Sequence, residues 1–244
     1  MLFQGTLRST LIPTVMAAAL LPSVAFAGPY EDGAKAFAKN DFKTAEKMWR
    51  PLAEQGDPKA EFNLGYLYAS GSGVKQDMEE ALTWWKKAAD KNSAEAQLNI
   101  GNVYAAGQGG IGKDPAEASK WYLKAAQNGD AEAQTNLGDF YASGTGVARN
   151  PREAAKWYKS AMAKGYSQAF IGYGGLFERG DGVPKDVIKA HMYFNVAAAT
   201  SSGKVADTAS AERDRLTKTM KPDQVTKARA MARTCMSSNY AKCD

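Results

Sequence analysis

The residues with the greatest capacity for chemistry in this chain are one histidine and two cysteines. His191 is the only histidine among 244 residues, so any Ser–His catalytic pair would have to use it. No G-x-S-x-G segment, which forms the nucleophile elbow of many hydrolases, occurs in the sequence. A lone imidazole with no identifiable partner is more often structural than catalytic. We therefore expect no catalytic residue and no enzymatic activity.

Cys235 and Cys243 lie eight residues apart near the end of the sequence. Their spacing differs from the C-x-x-C pattern of redox sites, and no histidine lies near them to complete a metal site. In an exported protein the default state of two such cysteines is a disulfide. We predict a structural disulfide that closes a small loop after the last helix, with a redox-active pair or a metal site as the alternatives. No metal and no cofactor is expected.

The glycine-rich segment 107–112 formally satisfies the G-x-G-x-x-G pattern of dinucleotide-binding proteins. That interpretation requires a strand before the loop, because the pattern is informative only inside a βαβ unit. Here the preceding residues have the spacing of a helix. We interpret the segment as a turn between two helices with one residue inserted.

The elements that position these residues come from a repeated unit of 36 or 37 residues. Three copies occupy residues 57–92, 93–129 and 130–165, and a weaker fourth copy occupies residues 166–199. In each copy, apolar residues four positions apart predict a first helix, a glycine-rich turn follows, and a second apolar series predicts a second helix. An N-cap residue is expected before each second helix, at Asp77, Asp114, Asn150 and Asp186. A period of this length indicates stacked helix pairs.

One glycine occupies the middle of each first helix: Gly65, Gly101, Gly138 and Gly174. Glycine at such a position costs about 1 kcal/mol relative to alanine. Its repetition at one phase predicts that something approaches too closely to allow a side chain, most simply a partner helix. We expect three tryptophans of the second helices to fill the gaps between small residues: Trp84, Trp121 and Trp157.

These positions together resemble the Sel1-like repeat, a relative of the tetratricopeptide repeat. The family pattern, A-x-x-x-L-G-x-x-Y-x-x-G-x-G-V-x-x-D-x-x-x-A-x-x-W-Y-x-x-A-A, is matched nearly in full by residues 57–165 and partly by residues 166–199. The resemblance implies an all-α fold, a right-handed α/α solenoid of stacked helix pairs with a concave groove. It implies an interaction scaffold and no particular reaction.

The resemblance also implies which residues line the groove. Three asparagines stand just before the mid-helix glycine at one phase of successive first helices: Asn63, Asn99 and Asn136. In tetratricopeptide relatives this phase lines the groove, where asparagines hold peptide backbone or a terminal carboxylate. The position three residues later adds Tyr66, Asn102 and Asp139. The alternative is that these side chains only tie adjacent helices together, and the sequence leaves both interpretations open.

Residues 1–27 have the pattern of a signal peptide. Arg8 is the only charge before an apolar run from Leu11 to about Val24, and residues 25–27 place small side chains at the −3 and −1 positions. The run is shorter than the ~20 residues of a membrane span, and prolines interrupt it. We expect cleavage after Ala27 and a bacterial periplasmic location, with secretion as the alternative.

The remaining segments are interpreted as caps. Residues 28–56 predict an atypical tetratricopeptide-like N-terminal repeat with a short turn, and residues 200–244 predict two capping helices and a tail. The net charge is +5, but lysines and glutamates alternate along the second helices, as is typical of solvated faces. Because basic residues are not clustered with exposed aromatics, no nucleic-acid partner is expected. We expect a monomer that does not span the membrane after cleavage, and a homo-oligomer remains the alternative.

The function that follows is an exported, non-enzymatic scaffold, adaptor or regulator of the bacterial envelope that binds a protein or peptide in its groove. The alternatives are a binder or hydrolase of cell-wall fragments or β-lactams, and a secreted host-interaction factor. A small-ligand function would require a unique polar cluster that the repeats do not share, and the sequence offers only the surroundings of His191.

Overall fold

A computed structural model describes residues 28–243, and this part of the chain forms twelve helices and no strand. The helices are α1 (Pro29–Ala38), α2 (Phe42–Glu54), α3 (Pro58–Ser70), α4 (Met78–Asp90), α5 (Ala94–Ala106), α6 (Pro115–Gln127), α7 (Ala131–Ser143), α8 (Pro151–Met162), α9 (Ser167–Arg179), α10 (Val187–Thr200), α11 (Gly203–Thr217) and α12 (Pro222–Ser237). The predicted signal peptide, residues 1–27, lies outside the described residues. None of the helices described is long and apolar enough to cross a lipid bilayer.

Local sequence signals fix where the helices begin and end. The four N-caps expected from the sequence are confirmed, since each side chain accepts a backbone N–H of the first turn: Asp77, Asp114, Asn150 and Asp186. Asp57 caps α3 in the same way through the N–H of Ala60. At the other end of α3, Gly71 adopts a φ of 70°, which only glycine tolerates easily. The helix boundaries therefore follow from capping side chains and glycines that recur at fixed positions of the repeat.

The helices pack as successive pairs, from α1 with α2 through to α9 with α10. Each second helix also packs against the first helix of the following pair, as α2 does against α3 and α8 against α9. This connectivity produces the predicted all-α solenoid, in which each unit contacts its neighbours and buries a continuous core. First helices also meet directly, because α7 contacts α9.

The mid-helix glycines make room for aromatic rings. A Cβ atom built on Gly65 would lie 2.6 Å from the indole of Trp85, and one built on Gly138 would lie 2.7 Å from the ring of Tyr158. Gly33 of the N-terminal unit has the same relation to Trp49, at 2.5 Å. The predicted close approach is correct, and the approaching groups belong to the second helix of the same pair. The nearest group is an aromatic side chain, and at Gly65 the backbone carbonyl of Ala81 also lies 3.1 Å from the added Cβ atom.

The tryptophans expected to fill gaps pack against the preceding unit. Trp84 on α4 belongs to the core cluster that contains Ala45 and Leu64, and Trp121 on α6 joins the cluster that contains Met78 and Trp85. Each indole N–H donates to a glutamate one turn earlier on its own helix, at 2.8 Å for Trp84 and 2.9 Å for Trp121. The indole nitrogens are thereby satisfied while the rings seal the boundary between units.

The C-terminal helices wrap around α10. Residues 190–194 of α10 are all buried, which is typical of a helix covered on every side. Both α11 and α12 pack against α10. The predicted disulfide joins Cys235 to Cys243, and the Tyr193 hydroxyl donates to the carbonyl of Cys243 at 2.7 Å. The disulfide loop therefore folds back onto the last pair of repeat helices.

Candidate binding face on the first helices

The six groove residues predicted from the sequence lie on one side of three successive first helices. We call this surface the first-helix face: Asn63 and Tyr66 on α3, Asn99 and Asn102 on α5, and Asn136 and Asp139 on α7. All six are partly or largely exposed to solvent, so a partner can reach them. The six residues differ in how many of their polar atoms already form hydrogen bonds within the protein.

Tyr122 joins two of these residues across a repeat boundary. Its hydroxyl donates to Oδ1 of Asn102 at 2.8 Å and is also hydrogen-bonded to Asn136. Burial, helped by the negative charge of Glu132, raises the pKa of Tyr122 to about 12, so the hydroxyl stays protonated. Asn102 and Asn136 therefore tie adjacent helices together, which is the second of the two interpretations that the sequence left open.

Asp139 forms the corresponding contact in the next repeat. The Tyr158 hydroxyl donates to Oδ1 of Asp139 at 2.5 Å. One side of Asp139 faces solvent, but the surrounding helices displace water from its carboxyl and raise its pKa, while the hydrogen bond from Tyr158 lowers it. Burial and the charge of Asp139 raise the pKa of Tyr158 far above its usual value. This tyrosine is a neutral hydrogen-bond donor.

Asn63 and Asn99 keep more of their hydrogen-bonding capacity. Asn63 donates from Nδ2 to the Tyr30 hydroxyl at 3.1 Å. Within residues 28–243 the Asn99 side chain has no hydrogen-bond partner, although an amide can form up to four hydrogen bonds. Asn99 is thus the asparagine of the face whose amide is most available to a ligand.

The N-terminal end of the face is apolar. Tyr66 is 44% exposed and meets the ring of Phe37 edge-on, with the centroids 5.8 Å apart. Together with Phe62 and Trp49 these residues line a hollow of about 380 Å³. An exposed aromatic beside a hollow of this kind is typical of binding surfaces.

The C-terminal end contains a larger and strongly charged hollow of about 860 Å³. We call it the charged pocket; its lining includes Asp139, Arg149, Tyr158, Gly172, Arg179 and Arg215. Arg149 and Arg179 share the carboxylate of Asp181, at 3.0 and 2.9 Å. Arg215 on α11 binds the carboxylates of Glu178 and Glu212 at 2.6 and 2.7 Å. The pocket thus extends from the first-helix face to the first capping helix.

The sequence matches a known repeat family from residue 24 to residue 199. The model of the Sel1 repeat matches residues 24–57, 58–93, 94–130, 131–166 and 165–199. The chain belongs to the Sel1 repeat family. The first of these matches includes the segment that was interpreted as an atypical cap.

Solved structures of Sel1 repeat proteins have the same fold. A Sel1 repeat protein from Oxalobacter formigenes is 30% identical over 79% of this chain and 86% of its own, with a TM-score of 0.67. The protective antigen c5321 of uropathogenic Escherichia coli is 21% identical over 87% of this chain and 54% of its own, with a TM-score of 0.55. The immunity protein PA5088 of Pseudomonas aeruginosa is 18% identical over 90% of both chains, with a TM-score of 0.51. No curated protein sequence matches the chain.

The charged pocket arises where the last Sel1 unit, residues 165–199, departs from the preceding units. Asn136 on α7 is hydrogen-bonded to Tyr122 of the preceding unit. The equivalent residue on α9 is Gly172, which contacts the ring of Tyr158 in the preceding unit. A Cβ atom at Gly172 would lie 2.5 Å from the ring of Tyr158, so the position has no room for a side chain. No arginine recurs at the phase of Arg149 or of Arg179 in the other units, so the sequence pattern assigned no role to them. The replacement of asparagine by Gly172 is the signal from which the pocket could have been predicted.

A second row of polar residues was also missed, and it is structural. Glu61, Gln97 and Gln134 are buried at one phase of three first helices. Gln97 donates from Nε2 to the carbonyl of Ala89, and Gln134 does so to that of Ala126, each at 3.0 Å. These bonds add a second donor to carbonyls at the end of the preceding second helix, which also accept the backbone N–H groups of Asn92 and Gly129.

His191 is a core residue of the last Sel1 unit. Its ring is fully buried, and Nε2 lies 3.0 Å from the Thr217 hydroxyl, which joins α10 to α11. Burial, followed by the charges of Arg229 and Arg213, lowers the pKa of His191 and keeps the imidazole neutral. This environment is that of a packing residue, in line with the expectation from its sequence context.

The glycine-rich segment 107–112 connects α5 to α6. A helix precedes it, and the described residues contain no strand, so the context required of a dinucleotide-binding loop is absent there. Among residues 28–243, no group of three or more histidines, cysteines or acidic residues is arranged to hold a metal ion.

Proposed function

We propose that this protein is a non-enzymatic scaffold that binds a protein or peptide partner on its first-helix face. Sel1 repeat proteins generally mediate protein–protein interactions, and the chain belongs to that family. The observation that supports the proposal most is the unused hydrogen-bonding capacity of Asn99 in the middle of the face. An extended peptide offers an N–H and a C=O at each residue, and an asparagine amide can bind both groups.

The two ends of the face extend this proposal. Tyr66 and the hollow beside it offer an apolar contact for one side chain of the partner, while Asp139 offers a carboxylate. Such a surface, with an aromatic residue at one end and polar groups along its length, fits a peptide better than a flat protein surface. The already braced amides of Asn102 and Asn136 are held in place by Tyr122, so less rotamer entropy is lost when they bind.

We further propose that the protein acts in the bacterial envelope. The apolar run in residues 1–27 supports export, and the Cys235–Cys243 disulfide is compatible with an oxidising compartment. A periplasmic adaptor or regulator that recruits an envelope protein is the role that agrees with these features. Its monomeric state is part of the proposal, since the solenoid needs no second copy to complete the face.

Substitutions can separate binding from bracing. The Asn99→Ala/Asn102→Ala double variant is expected to lose at least about tenfold in partner affinity, because it removes two amides from the face. Tyr122→Phe is the matched control, because it removes the hydroxyl that braces Asn102 and leaves both amides in place. We expect Tyr122→Phe to lower the free energy of unfolding by about 1 kcal/mol and to weaken partner binding less than the double variant does, because only the pre-organisation of Asn102 and Asn136 is lost.

The measurements are partner affinity by surface plasmon resonance and stability by urea denaturation. If the double variant loses stability and keeps full affinity, the amides only brace the stack and the proposed binding face is wrong. An equal loss of affinity in Tyr122→Phe would likewise assign the effect to helix packing.

A further inference from the structure

The charged pocket contains two clusters of opposite net charge. In the basic cluster, Arg149 and Arg179 share one carboxylate, that of Asp181, which leaves one net positive charge. In the acidic cluster, Arg215 is shared by Glu178 and Glu212, which leaves one net negative charge. Each cluster therefore lacks part of its counter-charge, and a ligand that supplied both signs would complete the two clusters.

The basic cluster has free donors that solvent can reach. The side chains of Arg149 and Arg179 are 52% and 55% exposed. Within residues 28–243, Arg179 donates one hydrogen bond, from Nε to Asp181 at 2.9 Å, so its terminal nitrogens remain open. A guanidinium presents a planar fork of N–H groups that matches both oxygens of a carboxylate.

Glycines shape the floor of the pocket. A Cβ atom at Gly175 would lie 3.0 Å from Nη1 of Arg179, so the glycine lets the guanidinium rest on the surface of α9. One turn earlier, Gly172 lets the buried ring of Tyr158 pack directly against α9. The two glycines therefore bring Tyr158 and Arg179 into close contact with α9, and Gly175 determines where the guanidinium of Arg179 lies in the pocket.

Asp139 adds a second site for a cation. Its carboxyl accepts the Tyr158 hydroxyl through Oδ1, and the neighbouring helices raise its pKa. A positive group placed beside it would favour its charged form. Asp139, Glu178 and Glu212 thus supply lining carboxylates that can attract a cation, while Arg149 and Arg179 supply guanidinium groups that can bind an anion.

We propose that the charged pocket binds the free carboxyl end of a peptide that also has a basic side chain near that end. The terminal carboxylate binds Arg179 and Arg149, and the basic side chain binds the carboxylates of Asp139, Glu178 and Glu212. This site is distinct from the asparagines of the first-helix face, since the pocket shares only Asp139 with that face. Free peptide ends of this kind occur in proteins and in the stem peptides of bacterial cell walls, and the pocket chemistry is common to both.

The test titrates ¹⁵N-labelled protein, residues 28–244, with acetyl-Lys-Ala-Ala and follows the amide signals of Gly172 and Gly175 by NMR. We expect saturable shifts at these two glycines. Amidation of the terminal carboxylate, or replacement of the lysine by norleucine, is expected to weaken binding at least about tenfold, because each removes one charge-assisted contact. These comparisons use the unaltered protein, so they do not depend on the folding of any variant.

Variants of the protein show which pocket residue binds each charge of the peptide. Arg179→Gln should bind the free acid and the amide equally, and Asp139→Asn should reduce the preference for lysine over norleucine. The matched controls are Arg233→Gln and Asp207→Asn, which alter exposed residues outside the pocket and should behave as the wild type does. A parallel titration with acetyl-Lys-D-Ala-D-Ala distinguishes a cell-wall stem peptide from a protein C-terminus by which stereoisomer binds more tightly.

Two results would overturn the proposal: no saturable shift at Gly172 or Gly175 with either stereoisomer, or equal affinity for the acid and the amide. Neither result would overturn binding through the amides of the first-helix face, because Asn99 and Asn102 do not line this pocket. Loss of partner binding in the Asn99→Ala/Asn102→Ala variant with intact peptide binding by the pocket would show that the two sites work independently.

Discussion

At the scale of single residues, the Sel1 units are held together by pairs of one glycine and one aromatic ring. Gly65 with Trp85, Gly101 with Tyr122, and Gly138 with Tyr158 repeat the same contact. The ring fills the space that a side chain would occupy, and its polar atom then finds a partner nearby. The Trp85 indole, for example, donates to the carbonyl of Phe62 at 3.1 Å.

This pairing predicts the effect of adding one methyl group. Gly65→Ala gains about 1 kcal/mol of helix propensity. Its Cβ atom would lie 2.6 Å from Trp85, whose ring cannot turn away without losing its hydrogen bond to Phe62. Overpacking of this kind costs about 1–3 kcal/mol. We expect a net decrease of about 1 kcal/mol in the free energy of unfolding, measured by urea denaturation.

Gly112→Ala is the control for this substitution, because no atom lies within 4 Å of the added Cβ. It should change the stability by less than about 0.5 kcal/mol. Greater stability in Gly65→Ala than in the wild type would mean that the ring is free to move and that the glycine has another role.

The sequence predicted the positions of the groove asparagines but not their partners. Repetition at one phase placed Asn99, Asn102 and Asn136 on one face of successive helices. It could not show that Tyr122 reaches both Asn102 and Asn136, because that contact depends on how two helix pairs are stacked. The position of a residue within the repeat determines which way its side chain points. Its hydrogen bonds depend in addition on the distances between neighbouring units.

At the scale of helices, the order, number and caps of the repeat helices followed from local signals. Aspartate or asparagine before each second helix and glycine after each first helix are short-range features that the sequence displays directly. The arrangement of α11 and α12 could not be predicted in the same way, since the tail does not repeat. Both helices pack against α10, in which residues 190–194 are all buried and need cover on several sides.

The disulfide should stabilise this C-terminal cover. In the chain-entropy model, a loop closed by residues eight apart contributes about 2–3 kcal/mol. The Cys235→Ser/Cys243→Ser variant is therefore expected to unfold at a lower urea concentration, with a loss of about 2–3 kcal/mol. The hydrogen bond from Tyr193 to Cys243 is lost as well once the loop opens.

Tyr193→Phe separates these two contributions, because it removes the hydrogen bond and keeps the disulfide. We expect it to cost about 1 kcal/mol. If reduction of the wild-type protein leaves the urea midpoint unchanged, the loop does not contribute to the stability of the last unit.

At the scale of the whole molecule, the surface of the first helices changes in character from one end to the other. It begins with the aromatic hollow at Phe37 and Tyr66, continues through the asparagines of α5, and ends in the charged pocket at Arg179. The sequence predicted the asparagines because they repeat. It could not predict the two ends, because each is assembled from residues that occur in one unit only and from α1 or α11 outside the clearest repeats.

The central claim is that partners bind to the first-helix face, and site-specific photo-crosslinking tests it most directly. A benzophenone amino acid is placed at Tyr66 or Asn99 on the face, and at Lys86 or Lys120 on the exposed side of second helices. The variants are expressed in cells that natively produce the protein, and the crosslinked products are identified by mass spectrometry. We predict that one partner is crosslinked from Tyr66 and Asn99 and from neither lysine position. Crosslinks that form only from Lys86 and Lys120 would place the interface on the second helices and contradict the account.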